Sequence, residues 1–308
     1  MTLAAEAPDL DVFWGFKGPV YGFAHHRGFT HSFLGLILTS ALVTGFMYLV
    51  WLLRGRKTNL PDLPPRWGLL FVFAYIAGLS HILLDFTNNY GVRPFWPFWE
   101  KWYSWDIVFI VEPALYIFLI AALVLPVFFS RRQPLPHGRT AARIALACVL
   151  LLYAARDFEH RRAVDTFGHQ PFESVAPLRV SAYPYYWNLF RWYGVAETQT
   201  VFAGAEINSR TTQVNRSQLE IIPKPLETAA TLAAKRSYVG RVYLDWAQYP
   251  LVTETSSGDD TVVQFRDLRF DYGRFRGKGP LSCTVELDRN LNVIGEAFGS
   301  REQQPPLD

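Results

Sequence analysis

Two short stretches of this chain gather side chains able to hold a metal ion or move a proton. The first is His25-His26-Arg27-Gly28-Phe29-Thr30-His31-Ser32, and the second is His81-Ile82-Leu83-Leu84-Asp85. Imidazole and carboxylate are borderline and hard ligands, suited to Zn²⁺ or a similar divalent ion. His81 and Asp85 are four residues apart, so a helix stacks them one turn apart on one face. His26 and His31 are candidate further ligands, as are Asp9 and Asp11 in Pro8-Asp9-Leu10-Asp11. Arg27 is placed to hold an anionic group such as phosphate. Asp106 and Glu112 are candidates for a general base or an additional ligand. A catalytic site of this kind keeps one position for water and lowers its pKa toward neutrality.

Each motif also has a plainer reading. A His-x-x-x-Asp pair on a helix can be a simple hydrogen-bonded pair. His31 can mark the start of a helix with Thr30 as N-cap. Asp9-x-Asp11 reads as a solvated turn, and Glu112-Pro113 as a helix break. His25 and His26 are neighbours and do not easily point the same way. Ser32 lacks an orienting third group and an oxyanion hole, which argues against a serine nucleophile. What favours a shared site is that the polar residues converge at one level of a membrane.

That membrane is read from the elements that must position them. Half of the 308 residues are hydrophobic, 16% are aromatic and 19% charged. This is too apolar for a typical soluble protein and too polar for a pure transporter, which suits a membrane half followed by a soluble half. A net charge of +3 gives no case for nucleic acid. The start shows no pattern of a cleaved signal peptide. Two cysteines, Cys148 and Cys283, fall in different halves, so no disulfide between them is expected. Four apolar runs, Phe33–Leu53, Trp67–Phe86, Ile107–Phe129 and Thr140–Ala155, approach the roughly 20 residues a bilayer core requires. Arg143 must snorkel in the last.

Orientation follows from basic residues in short loops. Arg54, Arg56, Lys57 and Arg66 follow the first run, and Arg131, Arg132, Arg139 and Arg143 follow the third; only Arg93 and Lys101 lie between the second and third. Residues 1–32, the 87–106 loop and everything after the fourth run then face the extracytoplasmic side, although Arg156, Arg161 and Arg162 oppose that assignment. His26–His31 enters the first span, and His81–Asp85 leaves the second, at that same side. Gly78, His81, Asp85 and Asn88 form a small-and-polar stripe expected to face helices or a wet cavity, with Gly28, Ser32 and Gly35 its counterpart. Residues 90–105 are rich in Trp, Tyr and Phe, an aromatic belt or a lid admitting an amphiphile.

Past residue 156 the periodicity changes. Alternating runs such as Thr261–Phe265, Cys283–Leu287 and Asn292–Glu296 predict strands, with a hairpin loop at Asp288-Arg289-Asn290. Leu226–Tyr249 reads as helical, and Arg266-Asp267-Leu268-Arg269 as a solvated strand. The expected architecture is a membrane α-helical bundle of about four spans (1–155), a small extracytoplasmic α+β domain (156–302) and a disordered tail (303–308).

The strings Pro8-Asp9-Leu10-Asp11, His26-Arg27-Gly28-Phe29-Thr30-His31-Ser32 and His81-x-x-x-Asp85 resemble the YdjM-like membrane-bound metal-dependent hydrolases, a LexA-binding, inner-membrane-associated family of bacteria and archaea. The likeness covers about residues 7–120. It implies a multi-pass inner-membrane protein and, through a distant similarity to zinc-dependent phospholipase C and P1-type nucleases, a helical metal site acting on phosphoesters; that step is fold-level analogy. Members carry an extra helix with Thr-His ahead of Pro-Asp-x-Asp. Here Met1–Ala7 looks like the tail of that helix, so one ligand is expected to be absent or to precede residue 1. Glu112-Pro113 stands where members show Asp-Pro. The reading is a metal-dependent hydrolase whose expected partners are the bilayer and a lipid or other phosphoester substrate, with any protein partner unidentified. The alternative is a non-enzymatic scaffold, or an envelope-stress protein binding an unidentified partner, around a structural metal or polar cluster.

Overall fold

The computed structural model describes residues 1–55, 66–129, 137–170, 172, 176–273, 281–299 and 301–302. Arg56, Lys57, Arg131 and Arg132 of the basic loops, and the expected disordered tail 303–308, lie outside the described residues.

The chain begins with a short helix α1 (Thr2–Glu6), a 3-10 segment (Ala7–Lys17), α2 (Pro19–His25) and a 3-10 turn (Phe29–His31). Two long apolar helices follow, α3 (Phe33–Gly55) and α4 (Trp67–Thr87). Ser32, not Thr30, caps α3: its hydroxyl accepts the Gly35 N–H at 2.9 Å and donates to the Phe29 carbonyl at 2.7 Å. Gly35 is obligatory here, because a Cβ would sit 1.7 Å from the Phe29 carbonyl oxygen. Gly78 of α4 meets Leu36 of α3, where a Cβ would be 2.7 Å from its methyl. The small-residue stripe therefore faces a helix. Leu36, Ile82 and Val92 form the buried cluster at this contact.

Among the described residues, two helices, Phe33–Arg54 and Trp67–Thr87, are long and apolar enough to cross a membrane. The third run gives α5 (Pro113–Phe129), whose apolar stretch Pro113–Val127 is shorter. Proline at its first position starts the helix late, while Ile107 and Val108 donate their N–H groups to the Thr87 carbonyl. The fourth run does not stop at Ala155. It continues as α6 (His137–Gly168), whose last turns become amphipathic and bury Ala163 and Phe167.

The second half carries antiparallel sheets, as the alternation predicts. They are two separate five-stranded sheets, in two compact units interleaved along the chain. One unit comprises Met1–Phe86, Tyr90–Ser104 and Pro225–Asp308; the other comprises Thr87–Asn89 and Trp105–Lys224.

In the second unit, β1 (Arg179–Pro184), β2 (Arg191–Glu197) and β3 (Val201–Asn208) pair in order, and β3 also pairs with β4 (Gln213–Val214) and β5 (Glu220–Pro223). The end of α6 lies so close to this sheet that a Cβ on Gly194 would fall 2.6 Å from the Phe167 ring. In the first unit, the Leu226–Tyr249 region forms two helices, α7 (Ala229–Arg236) and α8 (Tyr238–Trp246). Ser237 separates them and caps α8 through the Gly240 N–H. They pack on β6 (Pro250–Ser257), β7 (Asp260–Asp267), β8 (Cys283–Leu287) and β9 (Val293–Phe298), and β10 (Arg301–Glu302) pairs with β9. Asp288 forms the expected hairpin loop by accepting the Asn290 and Asn292 N–H groups. The Arg266–Arg269 segment is not a solvated strand: Asp267 and Arg269 are buried as an ion pair at 2.8 Å. Cys148 and Cys283 are both free thiols.

Candidate metal centre

The two motifs meet in the first unit. Asp9 comes from the 3-10 segment, His31 from the turn before α3, and His81 and Asp85 from one face of α4; one ligand atom from each lies within 4.8 Å of all the others. His31 Nε2 is 3.4 Å from Asp9 Oδ1 and 3.3 Å from Asp85 Oδ2, and His81 Nε2 is 3.4 Å and 3.5 Å from the same two oxygens. These separations are longer than the usual heavy-atom distance of a hydrogen bond between charged groups, about 2.7–2.9 Å. His31 Nε2, His81 Nε2 and Asp85 Oδ2 are buried with no hydrogen-bond partner. Ligands about 2.0–2.1 Å from a tetrahedral Zn²⁺ stand about 3.3–3.4 Å apart; the four His–Asp separations are near this length, and all pairs in the set lie within 4.8 Å. The donor set and its spacing thus fit a divalent ion. His31 is fully buried, His81 and Asp85 are nearly so, and half-exposed Asp9 is the open side.

Other predicted residues hold this set rather than join it. Asp11 is 2% exposed; one carboxylate oxygen lies 3.1 Å from His31 Nδ1 and accepts the Arg27 N–H at 2.6 Å, and the other lies 3.1 Å from His26 Nδ1. A carboxylate on the far nitrogen of a ligating histidine fixes its tautomer and ring orientation. His26 thus reaches the cluster through Asp11. His25 turns away, stacking on Tyr21 with ring centroids 4.0 Å apart. Arg27, expected to hold a substrate anion, is buried; it donates to Asp85 Oδ1 at 2.8 Å and to the Gly91 carbonyl at 3.1 Å. Its guanidinium lies over the Tyr90 ring at 4.8 Å. Asp106 and Glu112 belong to the second unit and are not among the converging residues. The Glu112 carboxylate is buried against Arg156 at 2.8 Å.

Electrostatics agree with the donor set. Asp9, Asp11 and Asp85 against Arg27 leave a charge of −2 when the imidazoles are neutral, the complement of a dication. Burial works against an imidazolium at His31, yet the carboxylates of Asp11, Asp85 and Asp9 push its pKa up to about 10. The imidazoles of His31 and His81 hold the Asp9 carboxyl well below the usual carboxylate range. Burial raises the Asp11 carboxyl, but His26 and His31 more than offset it and hold it low as well. Protons on these rings balance the carboxylates, and a cation bound here would replace them.

The model of the YdjM inner membrane protein family matches residues 1–163, over half of the chain and all of the His/Asp cluster. The chain belongs to this family. It is also similar to "Uncharacterized protein YfhP" of Bacillus subtilis (strain 168), 22% identical over 305 residues, which cover 97% of this chain and 84% of that protein. No solved structure matches. The family match ends at residue 163, but the unit that holds the cluster also includes Pro225–Asp308. Trp246 of α8 donates its indole N–H to the Tyr90 carbonyl at 3.0 Å, and the Tyr90 ring packs edge-on against His26. Sequence reasoning missed Tyr90 and Trp246 as supports, because no local pattern signals a contact across 156 positions.

Proposed function

We propose that this YdjM-family protein is an integral membrane metal-dependent hydrolase that cleaves a phosphoester of a lipid or membrane-proximal substrate. The observation that carries it is the set of four converging ligand atoms, whose His–Asp separations of 3.3–3.5 Å are longer than usual charged hydrogen bonds and leave room for a cation. Asp9, His31, His81 and Asp85 hold the ion, with Zn²⁺ the best fit to a His₂Asp₂ set. When bound, the ion would supply Lewis acidity toward a phosphoryl oxygen and lower the pKa of a bound water toward neutrality. Asp11 fixes the His31 tautomer, and Arg27 holds one Asp85 oxygen so that the other faces the ion. Glu112, held by Arg156, carries no step in this reading.

A shared core supports placing the segments around the site on one side of the membrane, while the extracytoplasmic assignment rests on the basic loops. Phe23 of α2, Tyr90 and Trp102 of the second loop, and Trp246 of α8 share one core. Residues 1–32, 90–104, 225–273 and 281–299 then lie on one side of the membrane. Between Ser104 and Pro225 the chain crosses an even number of times, so α5 and α6 both cross or neither does. The four-span arrangement takes the first option. Arg156, Arg161 and Arg162, which opposed it, pair with Glu112, Asp157 and Glu159.

A second reading rests on the same donor set: four protein ligands can fill every position of a four-coordinate ion, as structural zinc sites do. It makes the chain a scaffold or partner-binding protein. Metal analysis of the detergent-purified protein tests both. We expect one ion per chain, lost in folded His31→Ala and His81→Ala variants; a metal-replete wild type that holds no ion overturns both readings. X-ray absorption that counts a solvent ligand, with metal-dependent cleavage of a phosphodiester, selects the hydrolase, whereas four protein ligands and no turnover select the scaffold.

A further inference from the structure

The 3-10 segment that supplies Asp9 and Asp11 has its burial inside out. From Leu10 to Phe16 the one charged residue, Asp11, is 2% exposed, while Leu10, Val12, Phe13, Trp14 and Phe16 all face outward, Phe16 at 87%. A water-facing segment does the reverse, and a contiguous exposed apolar patch marks an interaction surface. The segment is also held firmly. Asp11 is tied to the Arg27 N–H, and Gly22 of α2 approaches so closely that a Cβ there would lie 2.9 Å from Gly15 Cα. Trp14 packs on Tyr21 and His25 with ring centroids 5.8 and 5.5 Å apart. At its end, Lys17 Nζ lies 5.3 Å from the Trp14 ring and 5.0 Å from the Tyr21 ring, an apolar stem ending in a charge above aromatic faces.

Exposed apolar side chains continue on the neighbouring elements. The segment adjoins α1, which touches α4 at Gly78, and α3 exposes Phe33, Leu34, Ile37 and Leu38 in its first turns. Phe95 and Phe98 are exposed beside the head of α3, where the Phe33 N–H donates to the Pro94 carbonyl at 2.9 Å.

We propose that Leu10–Phe16 is a membrane-interface wedge, seated at the acyl boundary beside α3 and α4. The open Asp9 side of the His/Asp cluster then borders lipid, and its substrate is an amphiphilic phosphoester taken from the bilayer. Rim aromatics with a snorkelling lysine suit this depth, and bonding within the segment leaves few backbone groups to satisfy in lipid. The substrate clause rests on the hydrolase reading; the wedge does not.

The test is a nitroxide on Phe16→Cys in full-length protein lacking Cys148 (Cys148→Ser), Cys283 being fully buried, in phosphatidylethanolamine/phosphatidylglycerol vesicles. We expect high collision rates with oxygen and low rates with a water-soluble nickel chelate. High chelate access would put the segment in water, and low access to both would put it against protein, such as a second copy; either overturns the wedge. Should the labelled variant misfold, a benzophenone amino acid at position 16 reports the same distinction, by lipid adducts on irradiation against protein adducts or none. The label result and cleavage of a soluble phosphodiester are scored separately. Turnover with a water-exposed label sinks the wedge alone, and a lipid-exposed label without turnover sinks the hydrolase alone.

Discussion

Two buried sets of opposite charges sit in the first unit, and they are held in different ways. Asp267 and Arg269 close to 2.8 Å, and the remaining lone pairs are taken up: Asp267 accepts the Gln248 and Arg269 N–H groups, and Arg269 donates to the Trp246 carbonyl at 3.0 Å. Across Asp9, His31, His81 and Asp85 each imidazole nitrogen stays 3.3–3.5 Å from the carboxylate oxygens, and three of the inward atoms have no partner. Side chains free to approach one another would close to hydrogen-bond distance, since an unpaired buried polar atom costs about 1–3 kcal/mol. The backbone instead fixes a gap. Closed pairs stabilise a fold; a maintained gap between ligands is a place for something else.

The sharpest way to break this contrast is at Arg269. Arg269→Met leaves the Asp267 carboxylate buried without its counter-ion, a loss of about 3–5 kcal/mol. Chemical denaturation of the detergent-solubilised chain should show it, with the metal content of the folded fraction unchanged. A variant that loses its ion at unchanged stability would mean the two sets are not distinct in kind.

Asp11→Asn probes the boundary between ligand and support. If Asp11 orients His31 from behind, the variant keeps one ion per chain but binds it about 10–100-fold more weakly. The amide can still accept the Arg27 N–H that Asp11 now accepts at 2.6 Å, which limits the effect on the fold. Competition with a chromophoric chelator measures this; complete loss of the ion would instead make Asp11 a ligand.

The convergence of these residues was legible in the sequence, because His-x-x-x-Asp is a local helical spacing and His31 lies at the start of a long apolar helix. The division of labour among them was not. Asp9 and Asp11 are two residues apart in one 3-10 segment, yet Asp9 faces the gap and Asp11 faces His26 and Arg27. Arg27 looked like an anion trap because spacing says nothing of Asp85 Oδ1, 58 positions away. Strands were legible from alternation, and their partition was not. Alternation identifies a buried face without naming what covers it, so β1–β5 and β6–β9 looked like one domain. The apolar composition of Thr140–Ala155 likewise concealed that α6 runs on to cover a sheet.

The second unit offers the smallest test, of a buried ionisable group with no gap to fill. His160 of α6 is half-buried beside Trp192, their rings 5.4 Å apart. Desolvation lowers its pKa from 6.5 to about 4, against the opposing pull of the Asp157 carboxylate. A histidine whose folded pKa is depressed contributes stability that is full above about 6.5 and is lost as pH falls toward 4, because the unfolded chain takes up the proton first. Allowing for its partial exposure, we expect about 1–2 kcal/mol to disappear between pH 7 and pH 4. In His160→Gln that part of the pH dependence should vanish. Hydrogen exchange of the β1 and β2 amides, followed across this range, reads it within the unit. An unchanged pH profile in the variant would show that this ring is solvated and that the acid sensitivity of the unit lies elsewhere.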